Sequence, residues 1–178
     1  NNRNEDSEEQ ESNQPSSLIK DESGKDLVQL RKTVYLTIMS CVDVEECCHK
    51  LLKLHISEGQ ELELCNMIIE CCSQEKSYLK YYGLLAERFC RLNIVWQQVF
   101  ELSFRDLLGT IHRLETGRIR NLSKLYPHLM FTDAVDWPAL LSPIKLTEED
   151  TTSASRIFIK FLFQDLTEFL GMEQLLQR

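Results

Sequence analysis

The chain has 178 residues, 43% of them hydrophobic, and a formal net charge of −8. This length and composition are sufficient for one domain with a hydrophobic core, and the acidic balance gives no support for binding to nucleic acid or to an anionic membrane. No run of about 18 apolar residues is present, so we expect no transmembrane helix.

The first 25 residues are polar and acidic. They contain seven acidic and three basic residues and almost no large apolar side chain. Because such a segment cannot bury enough surface to offset the entropy lost on ordering, we predict a disordered acidic linker over residues 1–25. We expect this linker to join an upstream module, so that the chain is a fragment of a longer protein, and we expect no secretory signal peptide.

From Asp26 onward, apolar residues recur at steps of three and four, which predicts a series of amphipathic helices. Asp26 is the expected N-cap of the first helix. The pairs Asp43 with Glu46 and Ser57 with Gln60 are close to capping boxes, and they predict the starts of the second and third helices.

Residues 79–90 predict a fourth helix near the centre of the fold, because the segment is apolar over much of its circumference. Gly83 within it is expected to allow the close approach of a neighbouring helix. A fifth helix follows Asn93, and a sixth follows an interruption of the pattern at residues 116–117. Pro127 lies inside the sixth helix, where we expect a kink or a break.

Residues 133–143 contain two prolines and a tryptophan and predict a short helical turn within a loop. We expect the side chains of Trp137 and Leu140 in this turn to be buried in the core. The last helix is predicted over about residues 151–170, with Gly171 as its C-terminal stop.

Clusters of Val and Ile that alternate with period two are missing, and no hairpin dipeptide such as Asn-Gly or Asp-Gly occurs, so the sequence indicates an all-α protein. Short loops between successive helices favour antiparallel neighbours. We therefore predict a HEAT-like stack of antiparallel helix pairs over residues 26–171, with about seven to eight helices, followed by a C-terminal tail over residues 172–178. Periodicity alone leaves a closed helical bundle as the alternative.

Four long segments, taken in order, resemble a known family. The segments are residues 30–54, 64–90, 110–133 and 151–171. Together they are similar to the MA-3 helical domain of the nucampholin-type pre-mRNA splicing factor, over about residues 30–171. The resemblance implies the all-helical, HEAT-like MA-3 fold.

The resemblance also implies a function. It implies a non-catalytic interaction module that docks proteins within the spliceosome, near the central scaffold protein and the 5′ exon path, and that supports loading of the exon junction complex. It implies that an upstream module holds the exon-junction DEAD-box helicase, and that the protein is located in nuclear speckles of the nucleus. Related MA-3 domains of translation-initiation scaffolds bind a DEAD-box helicase directly, so a helicase-binding adapter of translation initiation is the alternative. We expect a monomer with no cofactor, no bound metal and no membrane partner.

The cysteines are the first candidate site. The seven are Cys41, Cys47, Cys48, Cys65, Cys71, Cys72 and Cys90. Adjacent residues on a helix point about 100° apart, so the two Cys-Cys pairs fit a tetrahedral metal site poorly. We predict reduced, buried structural thiols of an intracellular protein. A Cys/His hydrolase is the enzymatic alternative, but no nucleophile loop or phosphate-binding glycine loop is visible, so we predict that the chain is not an enzyme.

Arg113, Arg118, Arg120 and Lys124 are the second candidate site, which we call the basic strip. They cluster around the interruption at residues 116–117, with His112 beside them, and predict a local positive surface that contacts a partner protein or the RNA backbone. The alternative is a solvated helix surface whose charge is partly neutralised by nearby acids. Few aromatic residues are interleaved with these bases, so stacking on single-stranded bases is unsupported.

The last helix carries two apolar stripes. The first consists of Phe158, Phe161, Leu162, Leu166 and Phe169, and the second of Ile159, Phe163 and Leu170. We expect both to pack in the core, with coverage of the second by downstream sequence or by a partner as the alternative.

Overall fold

The structure is a computed structural model that describes residues 16–178, with side chains described from residue 24. This part of the chain contains nine α-helices, one 3₁₀ turn and no β-strand. The helices are α1 (Ser16–Ser40), α2 (Val44–Leu52), α3 (Glu61–Gln74), α4 (Lys80–Cys90), α5 (Ile94–Thr110), α6 (Thr116–Phe131), α7 (Trp137–Leu141), α8 (Ser153–Leu170) and α9 (Met172–Leu176), and the 3₁₀ turn is Ile111–Arg113. The predicted all-α, HEAT-like fold is confirmed. The ninth helix, α9, lies in the predicted C-terminal tail.

The first helix begins earlier than the sequence predicts. α1 starts at Ser16, so residues 16–25, which their composition assigns to the linker, are helical, and Asp26 lies inside the helix rather than at its N-cap. A helix extends readily beyond its packed part because each added residue forms one more hydrogen bond once the nucleus exists. The remainder of the predicted linker, residues 1–15, lies outside the described residues.

The two predicted capping pairs have different outcomes. Asp43 begins α2 as predicted, because its Oδ2 accepts a hydrogen bond from the Glu46 N–H at 2.9 Å. Ser57 does not begin α3, which starts at Glu61. Instead, the Ser57 N–H donates to Gln60 Oε1 at 3.1 Å and the Gln60 N–H donates to the Ser57 carbonyl at 2.9 Å. This pair therefore closes the turn that precedes α3.

α4 lies at the centre of the fold, as predicted. It packs against α2, α3, α5 and α6, and Leu85, Ala86 and Phe89 on it are fully buried. A Cβ atom added at Gly83 would lie only 2.8 Å from Cγ of His128 in α6. Gly83 therefore allows the close helix approach that the sequence predicts.

α6 continues through Pro127 without a break, so the break offered as one outcome there does not occur. The helix packs against α3, α4 and α8, and Tyr126 and Leu129 on either side of the proline are fully buried. This packing compensates for the backbone hydrogen bond that proline cannot donate. The interruption predicted at residues 116–117 is wrong in position, because both residues lie in the first turn of α6. The break between helices falls earlier, since α5 ends at Thr110 and α6 begins at Thr116.

The C-terminal elements follow the prediction closely. Trp137 and Leu140 of α7 are 7% and 0% exposed, and Trp137 Nε1 donates a hydrogen bond to the Met130 carbonyl at 2.7 Å. Gly171 ends α8 with φ of 75°, a backbone conformation that favours glycine. Across residues 16–178, no helix combines the length and the apolar character that crossing a membrane requires.

Candidate functional site

The basic strip lies at the junction between α5 and α6. Arg113 is the last residue of the 3₁₀ turn, and Arg118, Arg120 and Lys124 belong to the first half of α6. Arg113, Arg120 and Lys124 are exposed, and Arg118 is half-buried. The 3₁₀ turn and the first half of α6 therefore carry all four side chains.

The four bases do not form one free positive surface. Arg118 Nη1 lies 3.1 Å from Glu70 Oε1 of α3, whereas Lys124 Nζ lies 3.9 Å from Asp165 Oδ1 of α8. These acids are distant in sequence from the bases they neutralise. The strip is therefore divided between two neighbouring helices, and two of its four charges are compensated within the fold.

Arg120 is also engaged within the domain. Its guanidinium carbon lies 5.4 Å from the ring centroid of Phe161 in α8, in cation–π geometry. Phe161 is half-buried rather than part of the closed core. Arg120 thus covers an aromatic side chain while its charged head stays in contact with solvent.

The contact between Lys124 and Asp165 has an electrostatic consequence. Burial raises the pKa of the Asp165 carboxyl, and the nearby Lys124 ammonium lowers it by a smaller amount. The Asp165 side chain is only 15% exposed, whereas that of Lys124 is 45% exposed. Lys124 therefore serves first to compensate a half-buried acid of α8, which reduces what it can offer to a partner.

Arg113 is the member of the strip that remains available. It is exposed and makes no hydrogen bond or ion pair with any residue between 16 and 178. It directly follows His112, which lines a pocket of about 450 Å³ beside the start of α8 together with Arg105 and Lys145. The sequence analysis did not identify Arg105 and Lys145 as part of this basic region, because they are distant from the basic strip along the chain. The packing of α5 against the segment before α8 brings both of them to the same pocket as His112.

The pocket beside α8 is not uniformly basic. Asp150 also lines it and lies 3.8 Å from Lys145. The start of α8 is already capped, since the Ser155 N–H donates to Thr152 Oγ1 at 3.2 Å and the Thr152 N–H donates to Ser155 Oγ at 2.8 Å. This region can make polar contacts with a partner surface. Arg113, like Arg105, has no hydrogen bond or ion pair to any residue that the structure describes.

The cysteines are buried, as predicted. All seven are free thiols with buried side chains. Burial raises the pKa of Cys47 and Cys71 to about 11 and that of Cys90 to about 12, so these thiols are protonated near neutral pH. Thiolates, not thiols, act as nucleophiles and metal ligands. Within the part of the chain that the structure describes, no group of three or more metal-ligating side chains converges.

The apolar stripes of the last helix are only partly in the core. Phe158, Leu162 and Leu166 are fully buried, as predicted. Phe169 is 59% exposed, so the prediction that it packs in the core is wrong. It stacks on Phe131 of α6 with ring centroids 4.5 Å apart. Phe169 therefore lies on the outer side of the last turn of α8, whereas its neighbour Leu170 packs against the core.

Comparison with known proteins assigns the fold to a family. The MA3 domain model matches residues 30–136. The pre-mRNA-splicing factor cwc22 of Emericella nidulans is 56% identical over 160 residues, which cover 90% of this chain and 18% of that protein. The pre-mRNA-splicing factor cwf22 of Schizosaccharomyces pombe is 52% identical over 158 residues (89% and 18%), and the CWC22 homolog of Mus musculus is 50% identical over 157 residues (88% and 17%).

The chain spans less than a fifth of the length of these relatives. Their names describe splicing factors and specify no enzymatic activity. The family match covers more than half of the chain and includes α2 to α6 completely. On that match, together with the all-helical architecture, the chain belongs to the MA3 domain family.

Proposed function

We propose that the chain is a non-catalytic interaction module of a pre-mRNA splicing factor, which docks other proteins within the spliceosome. The observation that carries this proposal is the identity of 50–56% to proteins named as pre-mRNA-splicing factors, over about 90% of the chain. An MA3 fold alone would fit a splicing module and a translation adapter equally well. Identity at this level, sustained across nearly the whole chain, favours the splicing assignment.

The structure supports a binding role rather than a catalytic one. The thiols are buried and protonated, so they are poor nucleophiles. The helices share one continuous hydrophobic core that runs from α1 to α8. Such a core makes a rigid frame on which exposed side chains hold fixed positions.

The finer assignments follow from the same resemblance. We propose that the module works in the nucleus, in nuclear speckles, and lies near the central scaffold protein of the spliceosome. We propose that the exon-junction DEAD-box helicase is bound by a module upstream of this chain, so that this domain supports exon-junction loading without holding the helicase itself. A helicase-binding adapter of translation initiation remains the competing function.

For the basic strip, we propose that Arg113 makes the principal contact to a partner protein or to the RNA backbone along the 5′ exon path. Arg118, Arg120 and Lys124 flank it. Their internal partners Glu70, Phe161 and Asp165 hold them in place, and they contribute to the surface through the parts of their side chains that stay exposed.

The splicing function is tested by recovery from nuclear extract. The tagged 178-residue chain is incubated with extract under splicing conditions, and the co-purified small nuclear RNAs are quantified. We expect enrichment of spliceosomal RNAs over an equal amount of tag alone. Stoichiometric binding of a purified DEAD-box initiation helicase, together with no enrichment of spliceosomal RNAs, would favour the translation adapter.

The RNA contact is tested separately with Arg113→Glu. Its matched control is Lys53→Glu, which reverses an exposed base at the end of α2. Binding of a single-stranded RNA is measured by fluorescence anisotropy at several salt concentrations. Loss of one phosphate contact reduces the slope of log K against log salt by about 0.7. We expect this reduction for Arg113→Glu and not for the control, and equal slopes for both variants would remove RNA from the proposal.

A further inference from the structure

α1 has a second apolar side that faces outward. Val28, Tyr35 and Met39 are 67%, 42% and 44% exposed, and Val42, just beyond the end of the helix, is 93% exposed. Steps of seven, four and three residues place such positions along one side of a helix. Leu36, which is 54% exposed, widens this side. We call these five residues the outer stripe.

The outer stripe cannot be buried by the core of the domain. Tyr35 and Met39 directly follow Val34 and Ile38, which are 0% and 2% exposed and face the core. Successive positions on a helix differ by about 100°, so α1 cannot press both sides against α2 and α3 at once. Turning α1 to bury the outer stripe would expose the core residues. A contiguous exposed apolar side of this kind marks an interaction surface.

The segment of the chain that carries the outer stripe, residues 28–42, is positively charged. Residues 28–42 include two bases, Arg31 and Lys32, and no acid, in a chain whose net charge is −8. Arg31 is paired with Glu63 of α3 at 2.7 Å. Lys32 is exposed, and it has no hydrogen bond or ion pair with the residues that the structure describes. Because Lys32 lies four residues after Val28 and three before Tyr35, its ammonium is on the same side of α1 as the stripe.

These features discriminate between the occupants that could cover the stripe. A second copy of the chain would supply apolar residues but would double the uncompensated positive charge along the contact. Residues 1–15 contain five acids but no Leu, Ile, Val, Met, Phe, Tyr or Trp, so they match the charge and cannot fill the apolar side. Single-stranded RNA requires several aromatic stacking platforms, and Tyr35 is the single aromatic residue of the stripe. A helix with one apolar and one acidic side matches both properties.

We propose that the outer stripe docks an acidic amphipathic helix of a partner protein. Apolar residues of that helix, spaced three, four and seven apart, pack on the stripe, and an Asp or Glu beside them pairs with Lys32. From Val28 to Met39 the contact is about 17 Å long, which is about three turns of helix. The surface is separate from the basic strip and rests on the proposed role of the domain as an interaction module.

The occupant is identified by photo-cross-linking. Tyr35 is replaced by benzoylphenylalanine in the 178-residue chain, the chain is irradiated in nuclear extract, and the cross-linked peptide is sequenced by mass spectrometry. We expect a peptide of another protein in which acidic residues flank an apolar pattern of helical period. A cross-link to RNA, to a second copy of the chain or to residues 1–15, or no cross-link at all, overturns the proposal.

The charge contribution is tested in the same cross-linking assay. Lys32→Glu is expected to reduce the cross-link yield about tenfold, and Lys32→Gln is expected to reduce it less, in the same direction. Leu146→Asp is the control, since it removes an apolar residue that is 74% exposed in the segment before α8. Both positions are exposed, so the thermal midpoint should change little in all three variants. Equal yields for Lys32→Glu and Leu146→Asp overturn the proposal.

Failure of this surface is distinguishable from failure of the splicing function. If the chain enriches spliceosomal RNAs without the expected cross-link, the docking surface is overturned and the splicing function stands. If the cross-link to an acidic helix forms while no spliceosomal RNA is enriched, the docking surface is supported and the splicing assignment is overturned.

Discussion

Replacing Gly83 with alanine tests the close contact between α4 and α6. Gly83 is buried in α4. A Cβ atom built there would overlap the Tyr78 hydroxyl, and it would lie 2.8 Å from Cγ and 3.1 Å from Cδ2 of His128. These separations are shorter than ordinary carbon–carbon contacts, so a neighbour must move to admit the methyl group.

His128 determines the outcome because it is held on two sides. Its Nε2 lies 2.9 Å from Glu87 Oε2, and its ring packs edge-on against Phe131 with centroids 5.1 Å apart. Tyr78 can move away more easily, since the contacting atom is the hydroxyl at the far end of its side chain. The clash with the His128 ring therefore remains after Tyr78 has moved.

The expected loss of stability follows from two opposing terms. Forcing an extra carbon into a well-packed and immobile site destabilises by about 3 kcal/mol, the upper end of the usual range. Alanine is favoured over glycine inside a helix by about 1 kcal/mol. The net loss is about 2 kcal/mol, which lowers the thermal midpoint of a chain of this size by about 4–8 °C.

The assay is urea unfolding of the 178-residue chain followed by circular dichroism. Gly109→Ala is the matched control, because Gly109 also lies within a helix, α5, but a Cβ there meets nothing within 4 Å. We expect the control to gain up to about 1 kcal/mol from helix propensity. If Gly83→Ala is as stable as the wild type, or is stabilised as Gly109→Ala is, then the close approach of α4 and α6 does not restrict which side chain position 83 can carry.

Three further predictions concern buried polar groups. Asn121→Ala should lower the free energy of unfolding by about 1–3 kcal/mol, measured by urea unfolding. The reason is that Asn121 Nδ2 donates to the carbonyls of Cys72 at 3.2 Å and Glu75 at 2.8 Å at the end of α3. An unchanged urea midpoint would mean that water replaces the amide. Iodoacetamide at pH 8 should label Cys47 and Cys71 slowly in the folded chain and rapidly in urea, as measured by mass spectrometry, because both are buried; equal rates would contradict their burial. Because burial raises the pKa of these two thiols from 9.0 to about 11, the folded state holds their protons more tightly than the unfolded state. The urea midpoint should therefore be constant up to about pH 9 and fall as the pH rises through about 11, and a flat profile across that interval would refute the sign.

The periodicity of apolar residues predicted the helices well where they bury one side. Val34 and Ile38 of α1 and Leu51 of α2 belong to the apolar residues that recur at steps of three and four, and they are fully or almost fully buried. The helix ends were harder to predict, since the same pair of residue types can either cap a helix or close a turn. The side chain of Asp43 caps a helix, whereas that of Gln60 closes the turn that directly precedes one.

The basic strip shows that proximity along the sequence could not predict which bases are compensated by acids. Its four bases are neighbours along the chain, and the sequence predicts one surface from that fact. Glu70 and Asp165, which compensate two of them, come from α3 and α8, 48 residues before Arg118 and 41 residues after Lys124. Which helix faces which base depends on how the helices pack, and no local pattern encodes it.

The sequence by itself determined the helical class, most of the core positions, the buried state of the thiols and the family. These properties depend on side-chain chemistry at fixed spacing along one chain, and a helix repeats that spacing wherever it lies. The tertiary structure alone decided which charges are compensated and which apolar sides remain open. Among the residues that the structure describes, Arg118 has an ion-pair partner, Arg113 and Lys32 have none, and nothing covers the outer stripe of α1. The reason is that ion pairing and burial are set by the helices that pack against each side.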